Sequence, residues 1–197
     1  LDLATQALES GAHLFIEKPI APSSTRVGEV TKLAESRNRV LMVGYNLRFQ
    51  AGLQKVKQLI DANAIGEIIS IRAEFGYSLP LWRPGTDYRD GYFARESSGG
   101  GILLDASHEL DYLIWLGGDP ASVYALVDHK SALEIETEDV ALLLMRLKSG
   151  GLAEGHLDVI DSQYTRRCKI IGGGGTIEWD FNGGVTVNPI GESDSDI

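Results

Sequence analysis

The arrangement that most constrains the fold is a strand, a helix and a second strand near the start of the chain. His13 to Ile16 is a short apolar run that predicts a strand, and Arg39 to Gly44 is a second run that is nearly all apolar. Between them, Ser23 to Thr25 offers N-caps for a helix that continues to about Arg37. Two strands joined in this way predict a right-handed crossover between parallel, buried strands. We therefore expect the closing part of a doubly wound α/β sheet here.

After a second predicted helix at about Leu53 to Ala62, β segments dominate the chain. The runs with strand character are Glu67 to Gly76, Val123 to Asp128, Asp139 to Lys148, Gly151 to Val159, Lys169 to Ile171 and Thr176 to Trp179. Ser149 and Gly150 predict a hairpin turn between two of these runs. We expect an α+β unit in which a helix over residues 105–116 packs on one face of a mainly antiparallel sheet. The acidic tail from Gly191 to Ile197 is expected to be disordered.

Charge and cysteine content argue against several classes of partner. The 197 residues carry a formal net charge of −10 and no basic run longer than Arg166-Arg167, which argues against nucleic acid and anionic membranes. No apolar run approaches the length of a membrane span. The single cysteine, Cys168, excludes an internal disulfide and fits a reducing compartment, so we expect a cytoplasmic protein. No Cys, His and carboxylate cluster has metal-ligand spacing, so no metal site is expected.

The stretch from Gly99 to Gly118 carries the strongest chemical signal. Three glycines lead through an apolar segment to a predicted helix that Asp105 or Ser107 would cap and that ends at the last two glycines. His108 and Asp111 are three residues apart, so they share one face of this helix. A histidine in the first turn, beside carboxylates, could hold a proton near neutral pH, as the oxidation of an alcohol requires. The alternative is that Asp105 is only a cap and His108 a histidine at the surface or the edge of the core.

Four motifs in order resemble the Gfo/Idh/MocA family of NAD(P)-dependent oxidoreductases, from Leu1 to about Asp180. They are Glu17-Lys18-Pro19 after a strand, Gly44-Tyr45-Asn46-Leu47-Arg48-Phe49, Gly99 to Gly101 leading to His108, Asp111 and Trp115, and Arg166 to Gly175 followed by Thr176-Ile177-Glu178. Each motif alone is weakly specific, but the four occur in register on the expected alternation of strands and helices. The segments Trp82 to Arg89 and Ser107 to Tyr112 further resemble a branch associated with bacterial surface sugars.

The resemblance implies a fold of two domains. Residues 1–46 would be the C-terminal part of a dinucleotide-binding Rossmann domain, the tail of its doubly wound sheet. Residues 47–197 would be a C-terminal α/β domain for substrate binding and oligomerisation, with a mainly antiparallel open sheet packed on helices. The implied reaction moves a hydride between NAD or NADP and a hydroxyl-bearing carbon of a sugar, cyclitol or nucleotide-linked sugar. The open sheet implies a homo-oligomer.

The resemblance also implies roles for single residues. The proton would be carried by Lys18 and His108, with Asp105 assisting. The cofactor would be contacted by Glu17, Lys18, Trp82 and Arg83. The substrate pocket would be bordered by Tyr45, Asn46 and Arg48. A packed loop is the alternative for Trp82 and Arg83, and orienting the helix or bonding a neighbour is the expectation for Asp111.

The chain departs from the family pattern in three ways. No G-x-G-x-x-G follows a strand, the family's closing helix is missing, and Asp105 precedes His108 by three residues instead of four. Leu1 to Ser10 predicts a helix with neither a starting Met nor a cap, so we expect a fragment that is inactive by itself. The alternative function is a non-catalytic oligomerisation or binding module of the same fold. A third is transient use of the cofactor for hydrolysis or epimerisation.

Overall fold

The structure, a computed structural model, describes residues 1–191. The expected disorder of the acidic tail falls on residues 192–197 and lies outside the described residues. The chain divides into two compact units, one over Leu1–Asn46 and a second that begins at Leu47.

The first unit is built from two helices and two short strands. They are α1 (Asp2–Glu9), β1 (Leu14–Ile16), α2 (Val27–Ser36) and β2 (Leu41–Val43). The strands pair in parallel, with Leu14 opposite Leu41. Leu8 of α1 and Val30 and Ala34 of α2 form the buried core of this unit, and both Leu14 and Leu41 pack against it. The predicted crossover between parallel strands is therefore confirmed.

The expectation that these strands are buried is wrong for one of their faces. Phe15 and Met42 lie opposite each other and are 67% and 40% exposed. Successive side chains of a strand point to opposite faces, and the helices pack on the face that carries Leu14 and Leu41. Apolar composition alone therefore does not predict which face of each strand is buried.

Helix α2 also begins later than its candidate caps. The hydroxyls of Ser23 and Thr25 lie 2.9 Å apart and bond each other instead of the helix. The N-cap is Arg26, which has a φ of +66° and forms no side-chain cap. The polar residues before the helix therefore form a turn of their own.

The second unit contains three helices and seven strands among its described residues. The helices are α3 (Ala51–Asp61), α4 (Ile102–Asp105) and α5 (Ser107–Gly117). The strands are β3 (Ile68–Gly76), β4 (Pro120–Asp128), β5 (Val140–Leu147), β6 (Leu152–Asp158), β7 (Thr165–Gly172), β8 (Gly175–Asp180) and β9 (Gly184–Pro189). Short 3-10 turns cover Asn46–Phe49 and much of the loop between β3 and α4.

Strands β3 to β9 form one sheet in the order β4-β5-β6-β3-β7-β8-β9. β3 and β6 run parallel, with Ile71 opposite Ala153, and the other neighbours run antiparallel. The mainly antiparallel sheet and the hairpin between β5 and β6 are confirmed. β9 was not predicted, because its only strand signal is Val185 and Val187 between polar residues, and it forms by pairing with β8.

Helices cover one face of this sheet, and the main core lies between the two layers. α5 packs on β3 and α3 packs on β8 and β9. Tyr112 of α5 meets Trp179 of β8 edge to face, with 5.8 Å between the ring centroids. The other face is open and carries exposed side chains such as Tyr124 and Leu144. Among residues 1–191, no helix combines the length and apolar character that crossing a membrane requires.

Candidate functional site

The three glycines before the candidate histidine are needed because other segments pass close to them. Gly99 and Gly101 have φ values of +70° and +101°, which residues with a side chain rarely adopt. A Cβ at Gly100 would lie 2.2 Å from the Phe93 carbonyl oxygen, and one at Gly101 would lie 2.4 Å from the Glu138 carboxylate. The glycine run therefore lets the backbone approach neighbouring protein segments, as its sequence suggested.

The helix expected over residues 105–116 is in fact two helices. α4 ends at Asp105 and α5 begins at Ser107, with Ala106 at φ −87° and ψ 27° between them. The expectation that Asp105 or Ser107 caps the helix is wrong, because the N-cap is Ala106 and no side-chain cap forms there. The backbone is already helical from Ile102, so the Asp105 carboxylate is directed elsewhere. The predicted end of the helix at Gly117 and Gly118 is confirmed.

A loop over residues 129–139, which we call the Glu138 loop, holds the start of α4. The Glu138 carboxylate accepts the N–H of Leu103 at 3.0 Å, and its carbonyl accepts the N–H of Ile102 at 3.2 Å. The loop is itself anchored by the buried Asp139, which accepts the N–H groups of Lys130 and Ser131 at 2.8 Å each. Burial alone would raise the pKa of Asp139, but these hydrogen bonds lower it below its usual value.

Asp105, at the end of α4, accepts a hydrogen bond from the Tyr92 hydroxyl. Burial, followed by the contact with Asp105, raises the pKa of Tyr92, so its hydroxyl keeps its proton. The Arg83 guanidinium lies 5.9 Å from the centroid of the Tyr92 ring. One candidate catalytic residue and one candidate cofactor residue are thus connected through a tyrosine that the sequence analysis did not single out.

His108 is the second residue of α5 and is 8% exposed. Its neighbours Ser107 and Glu109 are buried as well, so the first turn of α5 faces the protein interior. This position agrees both with an acid–base group shielded from water and with a histidine at the edge of the core.

Asp111 lies one turn after His108 and binds Arg48, one of the candidate substrate residues. The Arg48 Nε and Nη2 atoms each donate to the Asp111 carboxylate at 2.7 Å, which is the bidentate geometry favoured by arginine. The guanidinium also lies 5.8 Å from the centroid of the Trp115 ring, one turn further along α5. The expectation that Asp111 bonds a neighbour is confirmed, and Arg48 is thereby held against the helix that carries His108.

A second ion pair fixes α5 to the sheet from the buried side. Glu109 is fully buried, and Arg166 of β7 donates to its Oε1 atom at 2.8 Å. The Arg166 guanidinium also lies 4.6 Å from the centroid of the Phe75 ring on β3. This pair therefore holds the turn of α5 that carries His108 against the sheet.

A cavity of about 220 Å³ lies in the loop between β3 and α4, with Trp82, Arg83, Tyr88 and Tyr92 on its walls. The Trp82 indole N–H donates to the Tyr77 carbonyl at 2.8 Å, which fixes the ring. The cavity is therefore preformed, with aromatic walls and one arginine. Asp87 and Asp90 also line the cavity, and the arrangement suits a flat or ring-shaped ligand that carries polar groups.

Asp87, on the wall of this cavity, is paired with a second arginine, Arg89. Hydrogen bonds from the Arg89 side chain and backbone lower the pKa of Asp87 to about 2, so Asp87 is anionic at all working pH values. Arg89 also binds Glu134 of the Glu138 loop at 2.5 Å. Asp87 is therefore occupied structurally, and the other charged side chains on the cavity wall are Arg83 and Asp90.

The remaining candidates, Glu17, Lys18, Tyr45 and Asn46, belong to the first unit. Glu17 and Lys18 follow β1, and Tyr45 and Asn46 follow β2, so all four come after the carboxyl ends of parallel strands. Ligands of open α/β sheets bind at that edge. A Cβ at Gly44 would lie 3.3 Å from the Glu17 carboxylate, so the glycine keeps the two segments close.

The second unit brings its candidates together in two groups. One group contains Trp82, Arg83 and Tyr92 on the cavity wall, with Asp105 bound to Tyr92, and the other contains Arg48 bound to Asp111 of α5. Sequence reasoning missed Tyr92 and Glu138. Tyr92 precedes Asp105 by 13 residues, and Glu138 follows Leu103 by 35 residues. No periodic pattern links residues at such separations.

Two family descriptions match the chain. Residues 53–178 match the GFO/IDH/MocA C-terminal domain, and residues 1–45 match the oxidoreductase family with an NAD-binding Rossmann fold. Both matches agree with the architecture of the two units and with the motifs found in the sequence.

Known proteins show the same likeness. An uncharacterised oxidoreductase of Schizosaccharomyces pombe is 31% identical over 173 residues, 86% of this chain and 44% of that protein. Inositol 2-dehydrogenase 3 of Saccharopolyspora erythraea is 28% identical over 178 residues, 87% of this chain and 48% of that protein. The apo form of levoglucosan dehydrogenase has the same fold, with a TM-score of 0.87 at 21% identity, over 99% of this chain and 56% of that chain. The chain thus spans about half the length of these relatives.

Proposed function

This chain belongs to the Gfo/Idh/MocA family of oxidoreductases, and from that premise we propose that the protein is an NAD- or NADP-dependent dehydrogenase. It would transfer a hydride between the cofactor and a hydroxyl-bearing carbon of a sugar, cyclitol or nucleotide-linked sugar. The observation that carries the proposal is that Lys18 and His108 each lie in a segment that matches a domain of this family. The names of inositol 2-dehydrogenase 3 and levoglucosan dehydrogenase support a polyhydroxylated substrate.

We assign the proton transfer to Lys18 and His108, with Asp105 assisting. The nicotinamide ring, when bound, supplies the hydride acceptor or donor. An alcohol loses hydride easily only if its hydroxyl proton leaves at the same time, and a lysine or an imidazole can take that proton near neutral pH. The buried position of His108 keeps water away from the transferred proton. Asp105 precedes His108 by three residues, and its carboxylate accepts a hydrogen bond from the Tyr92 hydroxyl.

The binding roles follow from where each side chain is held. Glu17 and Lys18 would face the nicotinamide from the end of β1, and Trp82 and Arg83 would contact the cofactor from the cavity wall. Tyr45, Asn46 and Arg48 would border the substrate. Support for Arg48 comes from its bidentate bond to Asp111, because a fixed guanidinium loses little entropy when it binds a ligand.

The two units would have different roles in binding. Residues 1–46 would contribute the nicotinamide end of a dinucleotide-binding domain, and residues 47–197 would supply the substrate side and the oligomer contacts. The printed sequence contains no G-x-G-x-x-G turn, which is the usual anchor for a dinucleotide pyrophosphate. We therefore expect residues 1–197, taken alone, to bind NADH weakly and to be inactive.

A cofactor titration tests this proposal. NADH and NADPH fluorescence would be measured with residues 1–197 and, in parallel, with the complete open reading frame that contains them. Tight binding by the open reading frame, followed by NADH formation with myo-inositol, levoglucosan or a nucleotide-linked sugar, is the expected result. Failure of both forms to bind either nucleotide would overturn the proposal. Conversion of a substrate without net NADH would favour transient use of the cofactor in hydrolysis or epimerisation.

Two substitutions test the residue assignments. Lys18→Ala and His108→Asn should each lower kcat by about 100-fold or more, because each removes a group that moves the proton. Glu35→Gln on α2, an exposed charge outside the proposed roles, is the matched control and should leave kcat unchanged. If His108→Asn lowers only the urea midpoint and not kcat, His108 is a packing residue.

We also propose a role for the open face of the larger sheet, which would form the contact between copies of the chain. Tyr124 and Leu126 on β4 lie opposite Leu144 and Leu142 on β5, and all four are exposed. A contiguous apolar patch of this kind favours association, and charged pairs such as Lys169–Glu178 on the same sheet would favour a defined register. We propose a homo-oligomer through this face.

Light scattering after gel filtration tests the oligomer. Leu144→Glu should dissociate it, because the new charge would be buried at the contact. Leu3→Glu, at a more exposed leucine on α1, is the control and should leave the mass unchanged. A mass of one chain for the wild type would contradict the proposed contact. An oligomer that binds no nucleotide would favour the non-catalytic module, and cell fractionation would test the proposed cytoplasmic location.

A further inference from the structure

Tyr92 joins two parts of the candidate site that neither the motifs nor the family descriptions connect. Its ring forms part of the wall of the aromatic cavity, and its hydroxyl reaches the Asp105 carboxylate. An ionised carboxylate only accepts hydrogen bonds, whereas a phenol can donate one. The direction of this bond is therefore fixed, with Tyr92 donating.

The segment that carries Tyr92 is fixed by the same loop that fixes α4. The Phe93 carbonyl accepts the Thr137 hydroxyl at 2.8 Å, and the Ala94 carbonyl accepts the N–H of Glu136 at 2.8 Å. Two residues later, Glu138 binds the first turn of α4. The Glu138 loop therefore holds both the segment of Tyr92 and the helix that ends at Asp105, and it sets the distance between them.

The tyrosine is suited to hold the carboxylate and unsuited to act as a base. Burial and the contact with Asp105 raise the pKa of Tyr92, so the phenol stays protonated at every pH at which a dehydrogenase is assayed. The guanidinium of Arg83 over the ring restricts its rotation. A permanent donor in a restricted ring gives Asp105 one preferred orientation.

We propose that Tyr92 is a positioning residue, which holds the Asp105 carboxylate at the end of α4 in the orientation needed to assist proton transfer. The inference rests on the proposed function, since it gives Asp105 a part in the reaction. It goes beyond that function because it explains how an aspartate one residue out of the family's spacing is directed. The alternative is that Tyr92 only packs the cavity wall.

Tyr92→Phe tests the proposal in the complete open reading frame, with whichever of myo-inositol and levoglucosan is oxidised. The substitution keeps the ring and removes the donor, so kcat should fall by about 10- to 100-fold while KM stays within about twofold. Adding Tyr92→Phe to Asp105→Asn should lower kcat no further, because Tyr92 acts only through Asp105. Tyr77→Phe is the matched control, since it removes a hydroxyl from a ring packed on Tyr164.

A second readout does not depend on activity. Urea unfolding of residues 1–197 would be measured for the wild type, Tyr92→Phe, Asp105→Asn and the double variant. Asp105→Asn should lower the urea midpoint less in the Tyr92→Phe background than in the wild type, which shows that the two side chains interact.

The possible results separate this inference from the function on which it rests. Coupled losses in kcat, with KM unchanged, support positioning. A kcat for Tyr92→Phe equal to that of Tyr77→Phe in an active enzyme overturns the positioning role and leaves the proposed function standing. Independent losses in both kcat and the urea midpoint overturn it as well. An inactive wild type that binds no nucleotide overturns the proposed function and, with it, this role.

Discussion

Replacing Arg166 by Met should cost more stability than replacing its partner Glu109 by Gln. Glu109 is fully buried on α5, and Arg166 donates to it from β7 at 2.8 Å. Arg166→Met leaves the carboxylate buried beside an uncharged side chain, a change that costs about 3–5 kcal/mol. Glu109→Gln keeps an acceptor, and the guanidinium retains its position over the Phe75 ring, so about 1–2 kcal/mol is expected.

Tryptophan fluorescence during urea unfolding measures this difference, because Trp82, Trp115 and Trp179 all lie in the second unit. With a slope of about 2 kcal/mol per M urea, the loss for Arg166→Met corresponds to a midpoint lower by roughly 1.5–2.5 M. Lys169→Met is the matched control, because it removes a cation from the same strand. Its partner is half exposed, so the midpoint should change by less than about 0.5 M.

The pH dependence tests the same cause independently. Without the guanidinium, burial favours the neutral acid form of Glu109 in the folded chain, whereas the unfolded chain ionises it at about pH 4.3. The folded variant then binds more protons than the unfolded one, so its stability falls as the pH rises above about 4.3. The difference from the wild type should therefore be smaller at about pH 5 than at about pH 8. A loss for Arg166→Met smaller than that for Glu109→Gln, or a difference independent of pH, would refute the reasoning.

Three further outcomes can be measured on the same chain. Gly100→Ala should lower the free energy of unfolding by about 1–3 kcal/mol, because its Cβ would lie 2.2 Å from the Phe93 carbonyl oxygen, whereas Gly173→Ala, which meets nothing within 4 Å, should not. Leu157→Ala should lower it by about 2–5 kcal/mol, since Leu157 is fully buried. Burial raises the pKa of the Cys168 thiol, so a disulfide reagent at about pH 8 should modify it only after unfolding; rapid labelling of the folded chain would contradict this.

The fold was largely predictable because its signals are local. The turn at Ser149 and Gly150, the parallel pair β1 and β2 and most strands of the larger sheet follow from runs of apolar residues and from turn residues between them. Strand β9 escaped prediction because it depends on its neighbour β8 instead of on its own composition. The exposed face of β1 and β2 escaped because apolar residues do not reveal which face is covered.

The sequence predicted candidate residues for the site but not the hydrogen bonds and ion pairs between them. The spacing of His108 and Asp111 gave their shared helix, but the partner of Asp111 is Arg48, 63 residues away. The first turn of α4 is likewise held by Glu138, which follows Leu103 by 35 residues. Contacts of this kind form only after the fold brings distant segments together, so no pattern within one segment contains them.

The break at Ala106 also changes the meaning of the spacing between Asp105 and His108. In one continuous helix, residues three apart share a face, and a shift from four to three would leave the aspartate close to the same place. Here Asp105 ends one helix and His108 lies in the next, so their separation in sequence no longer determines where the carboxylate points. The Asp105 carboxylate contacts the Tyr92 hydroxyl, and Glu138 binds the first turn of α4. The departure from the family spacing is thus compatible with a role for Asp105, and we propose that Tyr92 directs its carboxylate.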